Sequence, residues 1–287
     1  MPARLASALV LFVLISFGCA ISEKEEIEIG RQMHGQFEEE FGGLYPDQVV
    51  QDYVHGVGME MARYAGRPNL PWQFRVVNAE QVNAFAVPGG YIYITQGLLF
   101  QLNNEAQLAG VLGHEAGHIA HRHSVKQIEK ARTAQGLTAV AGIAGAIFGV
   151  GGVGDVTGLV AGLALMKYGR DQEREADFSG LNYMTGAGYH PAGMVQTMEI
   201  LQAATGGGGG GPEFLSTHPN PGNRIEYLTE AVQDEYAPAA QTGTMGEGRF
   251  RQTVLSRRPS RVATVMLSTN THSSPWWCGT CRHGPRP

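Results

Sequence analysis

The chain has 287 residues, 43% of them hydrophobic, with a formal charge of −5, 10 histidines and three cysteines. That suffices for one sizeable globular domain and little more. Without Arg4 and the seven arginines after residue 248, 13 basic residues face 26 acidic ones, which excludes a nucleic-acid partner, since such binding demands clustered positive charge.

The N-terminal stretch MPARLASALVLFVLISFGCA places Arg4 ahead of an apolar run over residues 5–17. That run is short of the ~20 residues a membrane-spanning helix needs, so residues 1–18 read as an export signal. Cys19 follows where a bacterial lipoprotein would be cut and lipidated, although Ser16 and Phe17 match the usual pattern poorly. With Cys19 committed to a lipid anchor, the body over 19–245 has no further cysteine and tolerates an oxidising compartment. Residues 23–64 predict two helices, the first acidic. FRVVN and YIYITQG are rich in β-branched and aromatic residues and predict strands of a small antiparallel sheet, with Pro88, Gly89 and Gly90 as a turn. Asn83, Ala84, Phe85 and Ala86 are either an edge to which an extended peptide adds by main-chain hydrogen bonds, or part of an ordinary internal hairpin.

Residues 111–124, VLGHEAGHIAHRHS, hold four histidines within ten positions. The surrounding segment predicts a helix. Asn103 and Asn104 are cap candidates, Glu105 lies in the first turn, and Leu108, Val111, Leu112 and Ile119 recur at helical spacing. Side chains four apart on a helix lie about 40° apart in azimuth and roughly 6 Å apart along the axis, so His114 and His118 can grip one ion. His121 sits about 10 Å up the same stripe, beyond the ~2.1 Å reach of a shared zinc, and His123 points elsewhere. Glu115 projects near the ligand face, offset so as to hold a water rather than the metal, as a general base requires. Gly110, Gly113 and Gly117 form a stripe that costs about 1 kcal/mol each in helix propensity, which implies very close packing on another backbone.

A catalytic zinc needs a third protein ligand. The segment YGRDQEREADFSGLNYM, residues 168–184, reads as a helix with Glu173 and Asp177 on one face, suited to a metal ligand and an outer acceptor for a ligand histidine N–H. Glu175 points roughly the opposite way. Taken alone, the same charges would describe a solvated surface helix. Between the two helices, residues 136–166 carry only one charge, Asp155. They predict either small-residue helices buried on the domain or an apolar hairpin touching the membrane surface. The run TGGGGGG, residues 205–211, is a flexible loop by composition. Arg224 either stabilises developing negative charge or pairs with an acidic neighbour such as Glu226. Residues 246–287 read as a basic, disordered tail. Its lone Cys278-x-x-Cys281 is weak evidence for redox chemistry or for a second zinc.

Taken in order, HEAGHIAHRHS, EREAD and STHPNPGNRI resemble the zinc peptidase family of the CAAX prenyl protease, HtpX and the BepA-type peptidases, over about residues 23–237. The resemblance implies an α+β, mostly helical zincin-like domain with one Zn2+. In it His114, His118 and Glu173 are ligands, Glu115 is the catalytic base and Asp177 stands behind the ligands. It also implies that His218 approaches the zinc, as a fourth ligand that keeps the site latent or as a donor to the tetrahedral intermediate. Read from the residues alone, His218 is a turn histidine ahead of a helix starting near Gly222. The implied activity is a zinc endopeptidase of the bacterial cell envelope, acting on unfolded or misassembled exported proteins and held at the membrane by Cys19 and the 136–166 hairpin. A latent, zinc-bound envelope chaperone or assembly lipoprotein is the alternative. A prenyl-peptide protease fits less well, because the chain lacks the many spanning helices such chemistry in lipid suggests.

Overall fold

The computed structural model describes residues 20–134, 167–204, 214, 217–218 and 221–259. Cys19, the 136–166 hairpin, the glycine run at 205–211 and the Cys278/Cys281 pair lie outside the described residues.

Helix α1 (Glu23–Glu40) starts where Ser22 and Glu25 form a reciprocal capping box, and it buries Ile29, Met33 and Phe37 at helical spacing. Helix α2 (Gln48–Ala62) starts at Asp47, whose carboxylate accepts from the Val49 and Val50 N–H groups. Three strands follow: β1 (Gln73–Val77), β2 (Ala84–Val87) and β3 (Tyr91–Thr95). Their order is β1-β3-β2, with β3 central, antiparallel to β2 and parallel to β1. The sheet is therefore mixed, not antiparallel as predicted. Pro88, Gly89 and Gly90 do reverse the chain between β2 and β3, with both glycines at positive φ. The β1–β2 connection instead carries the chain past the slot that β3 fills, which leaves β1 and β3 running the same way.

Alternation along these strands feeds two cores. Phe85, Val87, Tyr91 and Tyr93 face α1 with Phe37 and Phe41. Ala84, Ala86, Ile92 and Ile94 join a larger cluster with Val50, Val54, Leu108 and Leu112. After a short α3 (Gln96–Leu99), helix α4 (Glu105–Ala120) runs through the centre, buried at every residue from Glu105 to Ile119. Helix α5 (His123–Ala134) follows, then α6 (Arg170–Gly186) and α7 (Ala192–Ala203). The glycine stripe does what its cost implied. A Cβ on Gly113 would lie 3.2 Å from Gly180 Cα of α6, and one on Gly117 would lie 2.9 Å from Ala176 O.

Helices α8 (Pro221–Asp234), α9 (Ala237–Thr242) and α10 (Glu247–Thr253) complete the described fold, with a 3-10 turn over Leu255–Arg257. The expected disordered tail from 246 is corrected over its first part. Phe250 and Val254 are fully buried, the Met245 carbonyl accepts from Ala106 N at 3.1 Å, and the Tyr45 hydroxyl donates to Arg257 O at 2.9 Å. Two apolar side chains one turn apart outweigh the basic surroundings, because their burial stabilises by roughly 1.5–3 kcal/mol each. No helix among the described residues is long and apolar enough to cross a membrane.

Candidate metal centre

Asn104 caps α4 by accepting from Gln107 N at 2.9 Å, and the helix carries His114, Glu115 and His118 into the interior. Helix α6 brings Glu173 and Asp177, α8 brings Arg224, and the turn holding Phe214 and His218 closes the group. His118 Nε2 lies 3.0 Å from His114 Nε2, which is 3.3 Å from His218 Nδ1. Glu173 Oε1 is 2.9 Å from His218 Nδ1 and 3.5 Å from His118 Nε2, while Glu173 Oε2 is 3.8 Å from His114 Nε2. One ligand atom from each of His114, His118, Glu173 and His218 falls within 4.8 Å of the others, and all four residues are buried.

This donor set fits a tetrahedral zinc. Bonds of about 2.1 Å to one centre space the ligand atoms about 3.4 Å apart, and the separations above bracket that value. His114 Nδ1 stands 2.9 Å from Asp177 Oδ1. A carboxylate only accepts, so His114 donates there and turns a bare Nε2 lone pair toward the other donors. Burial, reinforced by His114 and His218, holds His118 well below the ordinary imidazole value and keeps it in the neutral form that ligates metal.

Glu115 is fully buried, and among the described residues neither of its carboxylate oxygens has a hydrogen-bond partner. His218 Nε2 stands 3.6 Å from Oε1, too far for a hydrogen bond. Burial pushes this carboxyl up to about 7; the neighbouring Glu173 adds to the shift and His114 opposes it. Elsewhere in the site the carboxylates are well partnered. Arg224 donates from Nε and Nη2 to the two Asp177 oxygens at 2.9 and 2.6 Å, and from Nη1 to Glu173 Oε2 at 2.7 Å. Tyr227 also donates to Asp177. Burial would raise Asp177 and Glu173, but Arg224 with His114 on one and His218 with Arg224 on the other hold both below their ordinary values. Arg224 thus pairs with Asp177 and Glu173 across the fold, not with Glu226 on its own helix.

Asn83, Ala84, Phe85 and Ala86 are all buried, and β2 is an edge strand of the described sheet. Just ahead of it, the Val82 carbonyl accepts from Phe214 N at 3.3 Å, and the Phe214 ring stacks on His218 at 4.2 Å. Phe214 thereby contacts both the residue ahead of the strand and one member of the donor cluster. Asn83 Oδ1 is buried with no partner among the described residues.

Three residues that sequence reasoning set aside also reach the cluster. His123 and Glu175, expected to point away, lie behind His118, with His123 Nδ1 2.8 Å from His118 Nδ1. Tyr168 stacks on His118 at 3.9 Å and its hydroxyl lies 2.9 Å from Ser124 Oγ. The one available signal was Tyr168 itself, an aromatic residue at the head of the charged EREAD helix.

Two motif histidines on one helix and a carboxylate from a second, with His218, form a buried group that could hold a metal ion, the donor set of a metallopeptidase. The family model described as Peptidase family M48 matches residues 48–232, and the chain belongs to that family. It is 27% identical over 260 residues to the beta-barrel assembly-enhancing protease of Escherichia coli (strain K12), covering 83% of this chain and 52% of the relative. It is 32% identical over 189 residues to the mitochondrial metalloendopeptidase OMA1 of Schizosaccharomyces pombe, covering 66% of this chain and 53% of the relative. The chain thus spans about half the length of these curated relatives.

Proposed function

We propose that this protein is a zinc endopeptidase of the bacterial cell envelope that cleaves exported proteins failing to assemble. The observation that carries this reading is Glu115, a buried carboxylate with no hydrogen-bond partner among the described residues, beside three imidazoles and a second carboxylate. An unpaired buried carboxylate costs several kcal/mol, and that cost is understandable where the group is kept free to take a proton. His114, His118 and Glu173 would hold the zinc. When bound, the ion supplies Lewis-acid polarisation of the scissile carbonyl and acidifies the attacking water. Glu115 accepts the water proton on a carboxylate oxygen and returns it to the leaving amine nitrogen. Asp177 fixes the His114 ring through Nδ1, and Arg224 holds Asp177 and Glu173 in place while balancing their charge. The β2 edge around Asn83, Ala84, Phe85 and Ala86 would hold an extended substrate by main-chain hydrogen bonds. An export signal over residues 1–18 and lipidation of Cys19 would place the enzyme at the envelope, and the name of the E. coli relative, which refers to beta-barrel assembly, points to barrel proteins among the substrates. Unmodified Cys19 in the mass spectrum of membrane-extracted protein would remove the anchor.

A second reading, a latent assembly factor, is favoured by His218, which stands within the donor set while Phe214 of the same turn bonds to Val82. Glu115→Gln decides between them. The peptidase reading expects casein cleavage to fall at least 10²-fold with zinc content unchanged. Cleavage at the wild-type rate, insensitive to a chelator, overturns it. Loss of cleavage with full complementation of an envelope defect in cells favours the latent factor.

A further inference from the structure

Helix α4 does not run smoothly into α5. Arg122 adopts φ +58, a left-handed conformation rare outside glycine, between the end of α4 and His123. It is held there by Nε donating to Glu26 Oε2 at 3.1 Å and by Nη2 donating to Ile21 O. Continued as a straight helix, position 123 would lie about 140° around the axis from His118. The left-handed residue folds the chain back, so that the buried His123 ring returns to the side of His118 facing away from the donor cluster.

The result is a chain of three groups: His118 Nδ1 to His123 Nδ1 at 2.8 Å, then His123 Nε2 to Glu175 Oε2 at 2.9 Å. Glu175 is steadied from its other oxygen by His121 Nδ1 at 3.2 Å, and His121 Nε2 lies 2.7 Å from Ser179 Oγ. The proton positions follow from the outer end inward. A carboxylate only accepts, so His123 carries its proton on Nε2 and presents Nδ1 as an acceptor. His118 must then donate from Nδ1, which leaves its Nε2 as a bare lone pair aimed at His114, Glu173 and His218. The two motif histidines are thus oriented by different devices: His114 by direct contact with Asp177, His118 through a second imidazole.

We propose that His123, backed by Glu175, is a positioning residue that fixes His118 as the Nδ1–H tautomer and so sets the affinity of the site for zinc; this rests on the metallopeptidase reading above. It acts through His118 and touches no reacting atom. Outer partners of this kind typically contribute 10- to 100-fold in metal affinity.

The test measures zinc affinity of the full chain by competition with a chromophoric chelator. His123→Leu, which keeps bulk but offers no acceptor, is expected to bind zinc 10- to 100-fold more weakly. His123→Asn, whose side-chain oxygen can accept from His118 Nδ1–H, should stay within about threefold of wild type, and Glu175→Ala should fall between them. Long-range proton–nitrogen correlation spectra of the zinc-loaded wild type should show His118 protonated at Nδ1. Glu115→Gln is the reference that loses cleavage while still taking up zinc. The inference alone is overturned if folded His123→Leu binds zinc within threefold of wild type, or if His118 is protonated at Nε2. If His123→Leu does not fold, the same comparison is made between Glu175→Ala and His123→Asn, and equal affinity in both overturns it. A wild-type chain that takes up no zinc overturns the peptidase reading and this inference with it.

Discussion

The spacing of α4 and α6 controls the site, and Gly180→Ala tests it. A Cβ at Gly180 would fall 2.7 Å from Met194 Cε, 2.9 Å from the His114 backbone nitrogen and 3.1 Å from Gly113 C. Met194 Cε ends a flexible side chain and can move. The two backbone atoms cannot, and ordinary contact distances of about 3.5 Å then require the helices to part by roughly half an ångström. Alanine in a helix gains about 1 kcal/mol over glycine, whereas overpacking costs about 1–3 kcal/mol. The net expectation is a loss of up to about 2 kcal/mol, or at most roughly 4–8 °C in melting temperature for a domain of this size. Because His114 and His118 ride on α4 and Glu173 on α6, the same displacement should weaken zinc binding at least tenfold. Gly35→Ala is the matched control. It lies in α1 with nothing within 4 Å of its Cβ, so the propensity gain stands alone and the melting temperature should rise. Differential scanning calorimetry and chelator competition on both variants give the answer. If Gly180→Ala stabilises as Gly35→Ala does and keeps wild-type zinc affinity, the claim that α4–α6 spacing governs the metal site is wrong.

Two further outcomes follow from burial. In zinc-free protein, Glu115 lifted from 4.5 to about 7 means that the folded state keeps a proton the unfolded chain releases. Stability should therefore fall as pH rises between those values, by up to about 3 kcal/mol, and Glu115→Gln should remove that slope in melts recorded with EDTA; parallel slopes in the two proteins would count against it. Asp177, held below its ordinary value, acts in the opposite sense, its contribution present above pH 3.8 and lost below. Phe250→Ala, which empties a fully buried site beside Tyr53, should cost about 3–5 kcal/mol in urea unfolding, and a change under 1 kcal/mol would show that α10 contributes little to the folded body.

What could be seen in the chain beforehand was what depends on local geometry. The His114/His118 pair, the Asn104 cap and the glycine stripe of α4 all follow from a turn of 3.6 residues and the cost of glycine within it. The Pro88–Gly89–Gly90 reversal follows from the φ values glycine permits. The parallel pairing of β1 with β3 joins segments separated by a whole strand, and nothing in FRVVN or YIYIT states which neighbour each prefers. His123 escaped because a single arginine held left-handed by Glu26, 96 residues earlier, redirects the chain; helical arithmetic run through Arg122 puts the ring on the wrong side. Arg224 could be marked as important but not assigned, since its partners lie on α6 while its sequence neighbour Glu226 offered a nearer and incorrect candidate. Residues 247–257 read as tail in the sequence because their basic residues obscure the Phe250–Val254 pair.

Charge explains why these elements had to be brought to one place together. Among the described residues the site buries three carboxylates, Glu115, Glu173 and Asp177, and Arg224 is the one buried permanent cation. Three negative charges and one positive leave an excess of two when all are ionised, and burying such an excess would cost many kcal/mol. A divalent cation held by His114, His118 and Glu173 closes that balance to zero. Its positive charge would favour the ionised form of Glu115, the form that accepts a proton. In this arrangement Arg224 serves Asp177 and Glu173 alike, and the ion serves Glu173 and Glu115. Removing either positive charge should then be felt by all three carboxylates, which is why the stability of the fold and the occupancy of the metal site are expected to vary together.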